Sequence, residues 1–416
     1  MFCRNFILPI LIFLSLCPGM TVLADNPELP DTTALSPRER ALAELLASPA
    51  LDRDRFAILI TDLETGEELA AFADDRPLIP ASIQKCVTTA SLLRDKGPSW
   101  RYETDVFFDG RIHKGVLEGN IIVVGACDPS LNSRKAPESP EFVAQIVNAL
   151  RAEGVDSIAG RIVVDESDFA GPSTPPSWAS GDLRHAYGTG SHALNFENNA
   201  SGDAAIQNPA GVFETRLKNA LARARISLGD NELHSGRRRS LVKHESAPLE
   251  DIMRSCMMRS DNLYAESLLR TFGHVKGRDG STTTAASLEA DTWRRLGAPM
   301  EGVVIVDGSG LSRSNRMTAR FLTYLLTEMA DDVEYASFFP LAGQEGTLRK
   351  FMHGTRLDSY LALKTGSMSG IQSYAGYLLD EDFAPTHTVV IIANALPKGR
   401  ADYRAALSDF LLKTLP

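Results

Sequence analysis

Apolar and polar positions near both ends of the chain alternate with the periods of strands and helices. The run FAILIT at 56–61 predicts a buried strand, and a Glu64-Thr65-Gly66 turn joins it to a second strand at 68–72. The other predicted elements are helices over 38–46, 82–93, 248–257, 263–272, 285–296 and 401–414, and strands over 361–364, 374–379 and 388–393. Strands from both chain ends flank the helices, so we predict one sheet assembled from both ends.

The middle of the chain, from residue 99 to residue 241, has a different pattern. Short apolar runs alternate there with Gly, Pro and Asn turns. Three of the runs predict strands and a Pro-rich stretch predicts a surface loop, at 106–108, 121–124, 162–164 and 171–178. We therefore predict a β-rich insertion over 99–241 in a discontinuous catalytic domain formed by residues 25–98 plus 242–416.

The first 24 residues are predicted to be a signal peptide. Arg4 is the only charge before Asp25, an apolar run spans 6–17, and Val22-Leu23-Ala24 is a plausible cleavage site. The run is shorter than the roughly 20 residues that cross a membrane comfortably. A lipoprotein site at Cys17 is disfavoured because Leu16 precedes it. We expect a periplasmic protein, secreted across the inner membrane, with no stable membrane anchor.

Composition and charge limit the possible functions. The 416 residues are 44% hydrophobic and 23% charged, which is typical of a globular protein. A net charge of −10 disfavours general nucleic-acid binding. Once the signal is removed, an odd number of cysteines remains, with a spacing that fits no zinc site, so we expect at least one free, buried thiol. These are Cys86, Cys127 and Cys256. We predict no metal or cofactor.

The first candidate motif is Ser82-Ile83-Gln84-Lys85 at the start of a predicted helix. One helical turn places Lys85 on the same face as Ser82. A serine hydroxyl becomes a nucleophile when a base removes its proton, and a lysine amine with a depressed pKa can do so. Alone the string is a weak signal, because a capping serine followed by a surface lysine has the same spacing.

The second motif is Ser260-Asp261-Asn262, between two predicted helices. In an extended turn Ser260 and Asn262 would face the same cleft, where Ser260 could pass a proton to a leaving group and Asn262 could bind an amide. The alternative is a plain helix N-cap at Ser260 or Asp261.

The third motif is Lys364-Thr365-Gly366, followed by Ser367, on a predicted strand. Gly366 would let a ligand approach the backbone closely. The cation of Lys364 and the hydroxyl of Thr365 suit a carboxylate. Together and in this order, the three motifs resemble the signature of penicillin-recognising serine enzymes.

Further strings narrow the resemblance within that superfamily. They are Asp128-Pro-Ser-Leu131, Tyr187-Gly188, Ala193-Leu-Asn195, the run from Arg259 to Glu266, Asp307-Gly-Ser-Gly-Leu-Ser-Arg313 and Gly346-Thr-Leu348. With them the mature chain resembles the class C low-molecular-mass penicillin-binding proteins, the D-alanyl-D-alanine carboxypeptidase/endopeptidase family. The resemblance implies the α/β (α+β) penicillin-binding fold, with an antiparallel sheet between helices and a β-rich inserted domain.

The resemblance also implies roles for the motif residues. Ser82 would form an acyl-enzyme, Lys85 would be the general base, and Ser260 with Lys364 would protonate the leaving D-alanine. Asn262 would hold the substrate amide. Thr365 and Ser367 would bind the terminal carboxylate beside Gly366, and the backbone N–H groups of Ser82 and Ser367 would form the oxyanion hole. Asp128 and Arg313 are candidates for binding a charged side chain of the stem peptide, although a structural loop role is at least as compatible with their positions.

The expected partners are peptidoglycan stem peptides, with β-lactams as covalent inhibitors. A β-lactamase of class A would need a glutamate in an E-x-x-x-N string after the second motif, and none follows Asn262. A non-catalytic peptidoglycan-binding scaffold is the other alternative, and three intact motifs disfavour it. The sequence leaves open the balance of carboxypeptidase and endopeptidase activity and the oligomeric state.

Overall fold

The computed structural model describes residues 35–135, 141–233, 236 and 238–416. The predicted signal segment, residues 1–24, lies outside the described residues. Within those residues, no helix has the length and apolar character needed to cross a membrane.

The elements are numbered in chain order. The helices are α1 (Pro37–Ala47), α2 (Gln84–Lys96), α3 (Phe142–Ala152), α4 (Pro209–Arg223), α5 (Leu249–Arg259), α6 (Asn262–Val275), α7 (Thr282–Arg295), α8 (Ala319–Glu328), α9 (Val333–Ser337) and α10 (Gly399–Thr414). The strands are β1 (Phe56–Asp62), β2 (Glu68–Phe72), β3 (Glu103–His113), β4 (Val116–Val124), β5 (Ser157–Ile158), β6 (Ile162–Asp165), β7 (Ala200–Ser201), β8 (Ala204–Ala205), β9 (Ser227–Leu228), β10 (Arg238–Glu245), β11 (Leu361–Met368), β12 (Ile371–Leu379) and β13 (Pro385–Asn394).

Strands from both ends of the chain form one antiparallel sheet in the order β11-β12-β13-β1-β2. The first strand pairs with the last, from Phe56 opposite Ala393 to Asp62 opposite His387. Successive side chains of a strand point to opposite faces, and here both faces are buried. Ile58 and Ile60 pack with α1 and α10, whereas Leu59 packs with the helices on the other face. Burial on both faces explains why these strands are continuous apolar runs.

The helical layer on the second face carries two of the three motifs. It contains α2 and the run α5 to α8, whose buried side chains form one core with Ala57 and Leu59 of β1. Asp261 begins α6 as its N-cap, because its side chain accepts a hydrogen bond from the Tyr264 N–H. The N-cap that the sequence left as an alternative is therefore present at Asp261, and it places Ser260 and Asn262 on either side of a helix start.

The inserted region forms a second, mixed sheet in the order β10-β3-β4-β5-β9, with β6 paired to β4. Two helices, α3 and α4, pack on it, and the sequence prediction did not include them. Their apolar positions recur at helical spacing, as in Phe213, Leu217 and Leu221 of α4, which are all buried. Without these helices the apolar face of β3 and β4, including Phe108 and Ile121, would have no cover.

The Pro-rich stretch 171–178, predicted to be a surface loop, ends in a buried residue. Trp178 is only 6% exposed, and its indole N–H donates to Asp307 of the catalytic part of the chain at 2.8 Å. This contact ties the inserted region to the loop that follows α7.

We predict that Phe213→Ala lowers the free energy of unfolding by about 3–5 kcal/mol, because Phe213 fills the centre of the inserted core. Its ring centroid lies 5.5 Å from those of both Phe142 and Phe196. Urea denaturation followed by circular dichroism measures the loss. Asn219→Ala, on the exposed face of the same helix, is the matched control, with an expected change within about 0.5 kcal/mol. Equal effects of the two substitutions would contradict this account of the inserted core.

Candidate active site

Ser82 lies in a tight turn that packs in space between β11 and the loop after α7. The turn is a 3-10 segment, Ala81–Ile83, that leads into α2. A Cβ atom on Gly366 would lie 2.4 Å from the Pro80 carbonyl oxygen, and one on Gly310 would lie 1.9 Å from the Ala81 carbonyl oxygen. Glycine is therefore required on both sides, because any side chain would push the serine turn out of its position.

The amine of Lys85 is fully buried and is held at three points. Its Nζ atom lies 2.7 Å from the Asn262 Oδ1 atom, 2.7 Å from the Ser309 carbonyl oxygen and 3.1 Å from the Ser82 Oγ atom. Burial lowers the pKa of Lys85, although the thiol of Cys256 and nearby carboxylates oppose the shift.

Three oxygen acceptors surround the amine, so all three N–H groups of a charged Lys85 would have partners here. An uncharged amine, with two N–H groups, could donate to the two carbonyl-type oxygens and direct its lone pair at the Ser82 hydroxyl, as a general base must. Burial favours this uncharged form. Glu266 is one of the carboxyls that favour the charged amine, but burial, followed by the charge of Asp307, raises its own pKa to about 8, which weakens this effect near neutral pH.

Ser260 and Lys364 form the second pair of the site. Ser260 ends α5 in the left-handed conformation, with φ of 56°. The Lys364 Nζ atom donates to the Ser260 Oγ atom at 2.9 Å and to the Thr365 carbonyl oxygen at 2.9 Å. Burial lowers the pKa of Lys364 to about 7, and a positive charge on Lys85, when present, adds to the lowering. Such an amine can both accept and return a proton near neutral pH.

Asn262 is held by the inserted region as well as by Lys85. Its Nδ2 atom donates to the carbonyl oxygen of Tyr187 at 2.8 Å. This contact fixes the amide orientation, so that Oδ1 points to Lys85. The second Nδ2 hydrogen remains for a substrate amide.

Thr365, Gly366 and Ser367 lie along β11 at the edge of the sheet. The hydroxyls of Thr365 and Ser367 belong to alternate residues and share one face, whereas Lys364 points to the other face, toward Ser260. Thr365 is nearly buried and Ser367 is exposed. Each hydroxyl has a polar neighbour that the sequence did not reveal, Thr347 for Thr365 and Gln372 for Ser367.

The loop 307–313 supplies the Ser309 carbonyl, and a fully buried carboxylate holds this loop in place. Asp307 accepts hydrogen bonds from the backbone N–H groups of Gly310 and Ser312, from the Asn315 amide and from the Trp178 indole, at 2.6–2.9 Å. Glu266 accepts the N–H groups of Gly308 and Ser309. This string carries part of the family resemblance, but Arg313 is the residue in it for which a role was predicted.

Asp128 and Arg313 do not join this network of contacts. Asp128 is 2% exposed, and its Oδ1 atom accepts from the backbone and hydroxyl of Ser130. Burial raises the pKa of Asp128 to about 6. Arg313 is exposed and lines a cavity of about 460 Å³ beside Ser369. The contacts of Asp128 are those of a structural turn, and the binding role of the two residues stays a prediction.

The remaining cysteines agree with the sequence analysis. Cys86, Cys127 and Cys256 are free and buried, and burial raises the pKa of Cys86 and of Cys256 to about 12. Across the described ranges, His, Cys, Asp and Glu side chains form no group of three that could hold a metal ion.

Comparison with known proteins agrees with the motif pattern. The model of the D-Ala-D-Ala carboxypeptidase 3 (S13) family matches residues 38–205 and 197–411, nearly all of the described chain. The chain belongs to the S13 family. Family membership makes it a serine peptidase of the penicillin-binding superfamily, as the three motifs predicted.

Individual relatives of this S13 chain extend the comparison. A carboxypeptidase of Mycobacterium tuberculosis is 29% identical over 401 residues, which cover 92% of this chain and 84% of the relative. Penicillin-binding protein 4 of Haemophilus influenzae has a solved structure that superposes with a TM-score of 0.77 at 21% identity, covering 90% of this chain and 98% of that one.

A penicillin G-acylated predatory endopeptidase of Bdellovibrio bacteriovorus superposes with a TM-score of 0.53 at 17% identity, covering 86% of this chain and 90% of that one. Together the two structural likenesses confirm the predicted fold class.

We predict that Asp307→Asn slows acylation of Ser82 by benzylpenicillin about 10- to 100-fold. An asparagine at this position has one acceptor oxygen and places an NH₂ group against N–H donors, so the Ser309 carbonyl would move away from Lys85. A loss of about 1–3 kcal/mol in unfolding free energy should accompany the change. Stopped-flow measurement of acylation tests the prediction, with the exposed Asp331→Asn as control. An unchanged acylation rate in Asp307→Asn would show that the carboxylate does not position Lys85.

Proposed function

We propose that this chain removes the terminal D-alanine from peptidoglycan stem peptides through an acyl-enzyme on Ser82. The observation that carries the proposal is the buried Lys85 amine, with two carbonyl-type acceptors at 2.7 Å and the Ser82 hydroxyl at 3.1 Å. Membership of the S13 carboxypeptidase family supports the substrate class.

Acylation follows from the positions of these groups. Lys85 takes the proton of Ser82 as the Oγ atom bonds to the carbonyl carbon of the penultimate D-alanine. The backbone N–H groups of Ser82 and Ser367 would stabilise the oxyanion, a contribution that is often about 3–4 kcal/mol for one donor. Consistent with this, a Cβ atom on Gly366 would come within 3.2 Å of the Ser82 nitrogen, so the two backbones lie close together.

Breakdown of the tetrahedral intermediate requires a proton for the leaving amine. Ser260 bridges Lys364 and the cleft, so a proton can pass from Lys364 through the Ser260 hydroxyl to the departing D-alanine nitrogen as the C–N bond breaks. Before deacylation, the proton that Lys85 took from Ser82 passes to Lys364, which gave its own proton to the leaving group, so Lys85 is again neutral. Water then attacks the ester, and Lys85 takes a proton from it as the new C–O bond forms. That proton goes to the Ser82 Oγ atom as the ester bond breaks, which releases the shortened peptide and restores Ser82.

The same site could accept a crosslinked peptide as acyl donor. The reaction would then be that of a DD-endopeptidase, and the structural likeness to an endopeptidase supports including it. In either case we propose that the enzyme works outside the cytoplasm, where peptidoglycan lies, as the predicted signal peptide of residues 1–24 implies.

β-Lactams are proposed to acylate Ser82. Solved structures of relatives with this fold include one complexed with a β-lactam and one acylated by penicillin G. Ser82 would attack the strained amide of a β-lactam as it attacks the peptide bond. The leaving amine of a β-lactam stays tethered to the acyl group, so hydrolysis of the penicilloyl ester on Ser82 should be slow. Asp128 and Arg313 remain candidates for contacts with the stem peptide side chain.

Intact mass spectrometry after mixing with benzylpenicillin tests the assignment of Ser82. We expect one penicilloyl group on the protein that persists for hours, no adduct on Ser82→Ala, and a full adduct on the exposed control Ser240→Ala. Release of D-alanine from an N-acylated peptide ending in D-Ala-D-Ala is measured in parallel. An adduct on Ser82→Ala, or a folded wild type with no adduct and no D-alanine release, would refute the proposal. An adduct that turns over within seconds would indicate a β-lactamase.

A further inference from the structure

The hydroxyls of Thr365 and Ser367, which are proposed to bind the substrate carboxylate, each contact another polar group. The Thr365 hydroxyl lies 2.8 Å from the Thr347 hydroxyl, and the Ser367 hydroxyl lies 2.9 Å from the Gln372 Oε1 atom. With no substrate bound, Thr365 and Ser367 therefore direct their hydrogens at these neighbours. To bind a carboxylate, both hydroxyls must turn and donate to it, since a carboxylate only accepts hydrogen bonds.

The position of Gln372 allows the direction of its hydrogen bond with Ser367 to reverse. It is fully buried and lies directly opposite Ser367 in the register of β11 and β12. Its Oε1 atom accepts from Ser367, but its buried Nε2 atom has no hydrogen-bond partner among the described residues. An unpaired buried donor is unfavourable. If the amide turns over, Nε2 donates to the Ser367 Oγ atom, and the serine hydrogen is released toward the substrate.

Thr347 can act in the same way on Thr365. Its side chain is exposed at the edge of the site, so its hydroxyl can either accept from Thr365 or donate to it. When Thr347 donates, the Thr365 hydrogen is free to point toward the ligand. The carboxylate would then receive two donors, each polarised by a hydrogen bond from behind.

We propose that Thr347 and Gln372 are positioning residues, which set the hydroxyls of Thr365 and Ser367 to donate to the terminal carboxylate of the substrate. The proposal rests on the proposed function for the identity of that carboxylate. It makes selection for a free C-terminus depend on two residues outside the three motifs.

The test distinguishes an effect on substrate binding, measured by KM, from an effect on the chemical step, measured by kcat. We expect Thr347→Val and Gln372→Met each to raise the KM for an N-acylated peptide ending in D-Ala-D-Ala by up to about tenfold, the upper end for the loss of one neutral hydrogen bond, because Thr365 or Ser367 loses the donor that orients its hydroxyl. The kcat should stay within about twofold, because the lost interaction is equal in the ground and transition states. Thr347→Ser, which restores the hydroxyl, should return KM to the wild-type value.

The control is Thr388→Val, an equally conservative loss of a hydroxyl in the same sheet. Thr388 is buried on β13, and its Oγ1 atom has no partner in the described part of the chain. The KM of the Thr388→Val variant should match that of the wild type. Thermal unfolding of each variant verifies the fold. Because Thr347 is exposed, its variants test the proposal even if Gln372→Met unfolds.

A second readout keeps the two proposals distinguishable. Benzylpenicillin also presents a carboxylate, so the concentration giving half-maximal acylation rate should rise by up to about tenfold in Thr347→Val and Gln372→Met. If the wild type is acylated but releases no D-alanine, the peptidase function fails and this readout still decides the inference. Thr347→Val with unchanged KM and unchanged half-maximal concentration, or with a loss confined to kcat, would overturn it.

Discussion

The burial of one lysine amine is the constraint on which the site depends. Lys85 has no access to water, so its charge cannot be solvated, and its three partners, two carbonyl-type oxygens and the Ser82 hydroxyl, are dipoles rather than carboxylates. Burial therefore lowers the pKa of Lys85 toward the uncharged form that a general base requires. The carboxyls nearby, Glu266 and Asp307, bind the backbone of the neighbouring loop.

The inserted region completes this arrangement. The carbonyl of Tyr187 accepts from the Asn262 amide, and the indole of Trp178 is one of the donors to Asp307, which anchors the loop of Ser309. Both residues lie in the segment between β6 and β7. The inserted region therefore helps to position the two carbonyl-type oxygens that Lys85 contacts.

The sequence predicted the features that depend on local pattern. The central strands were predicted because they are long apolar runs. The residues of each motif are close in sequence, so the sequence also predicted a site formed by a helix start, a loop and a strand. The helices α3 and α4 were missed because short strands and turns around them dominated the pattern. Trp178 was missed because its partner, Asp307, is distant in sequence. Gln372 lies only five residues from Ser367, but their contact depends on the register of β11 and β12. Thr347 stood in a string that carried the resemblance, and only the fold shows its contact with Thr365. The binding role of Asp128 stays a prediction, and its contact with Ser130, two residues away, fits the loop role that the sequence also allowed.

The protonation state of Lys85 tests the account most directly. Lysine labelled with carbon-13 at Cε gives a chemical shift that reports each amine, and Lys85→Arg identifies the signal of interest. We predict that the Lys85 signal titrates below the signals of the surface lysines, because burial lowers its pKa. A Lys85 signal that titrates with the surface lysines near pH 10.5 would contradict the assignment of Lys85 as the base.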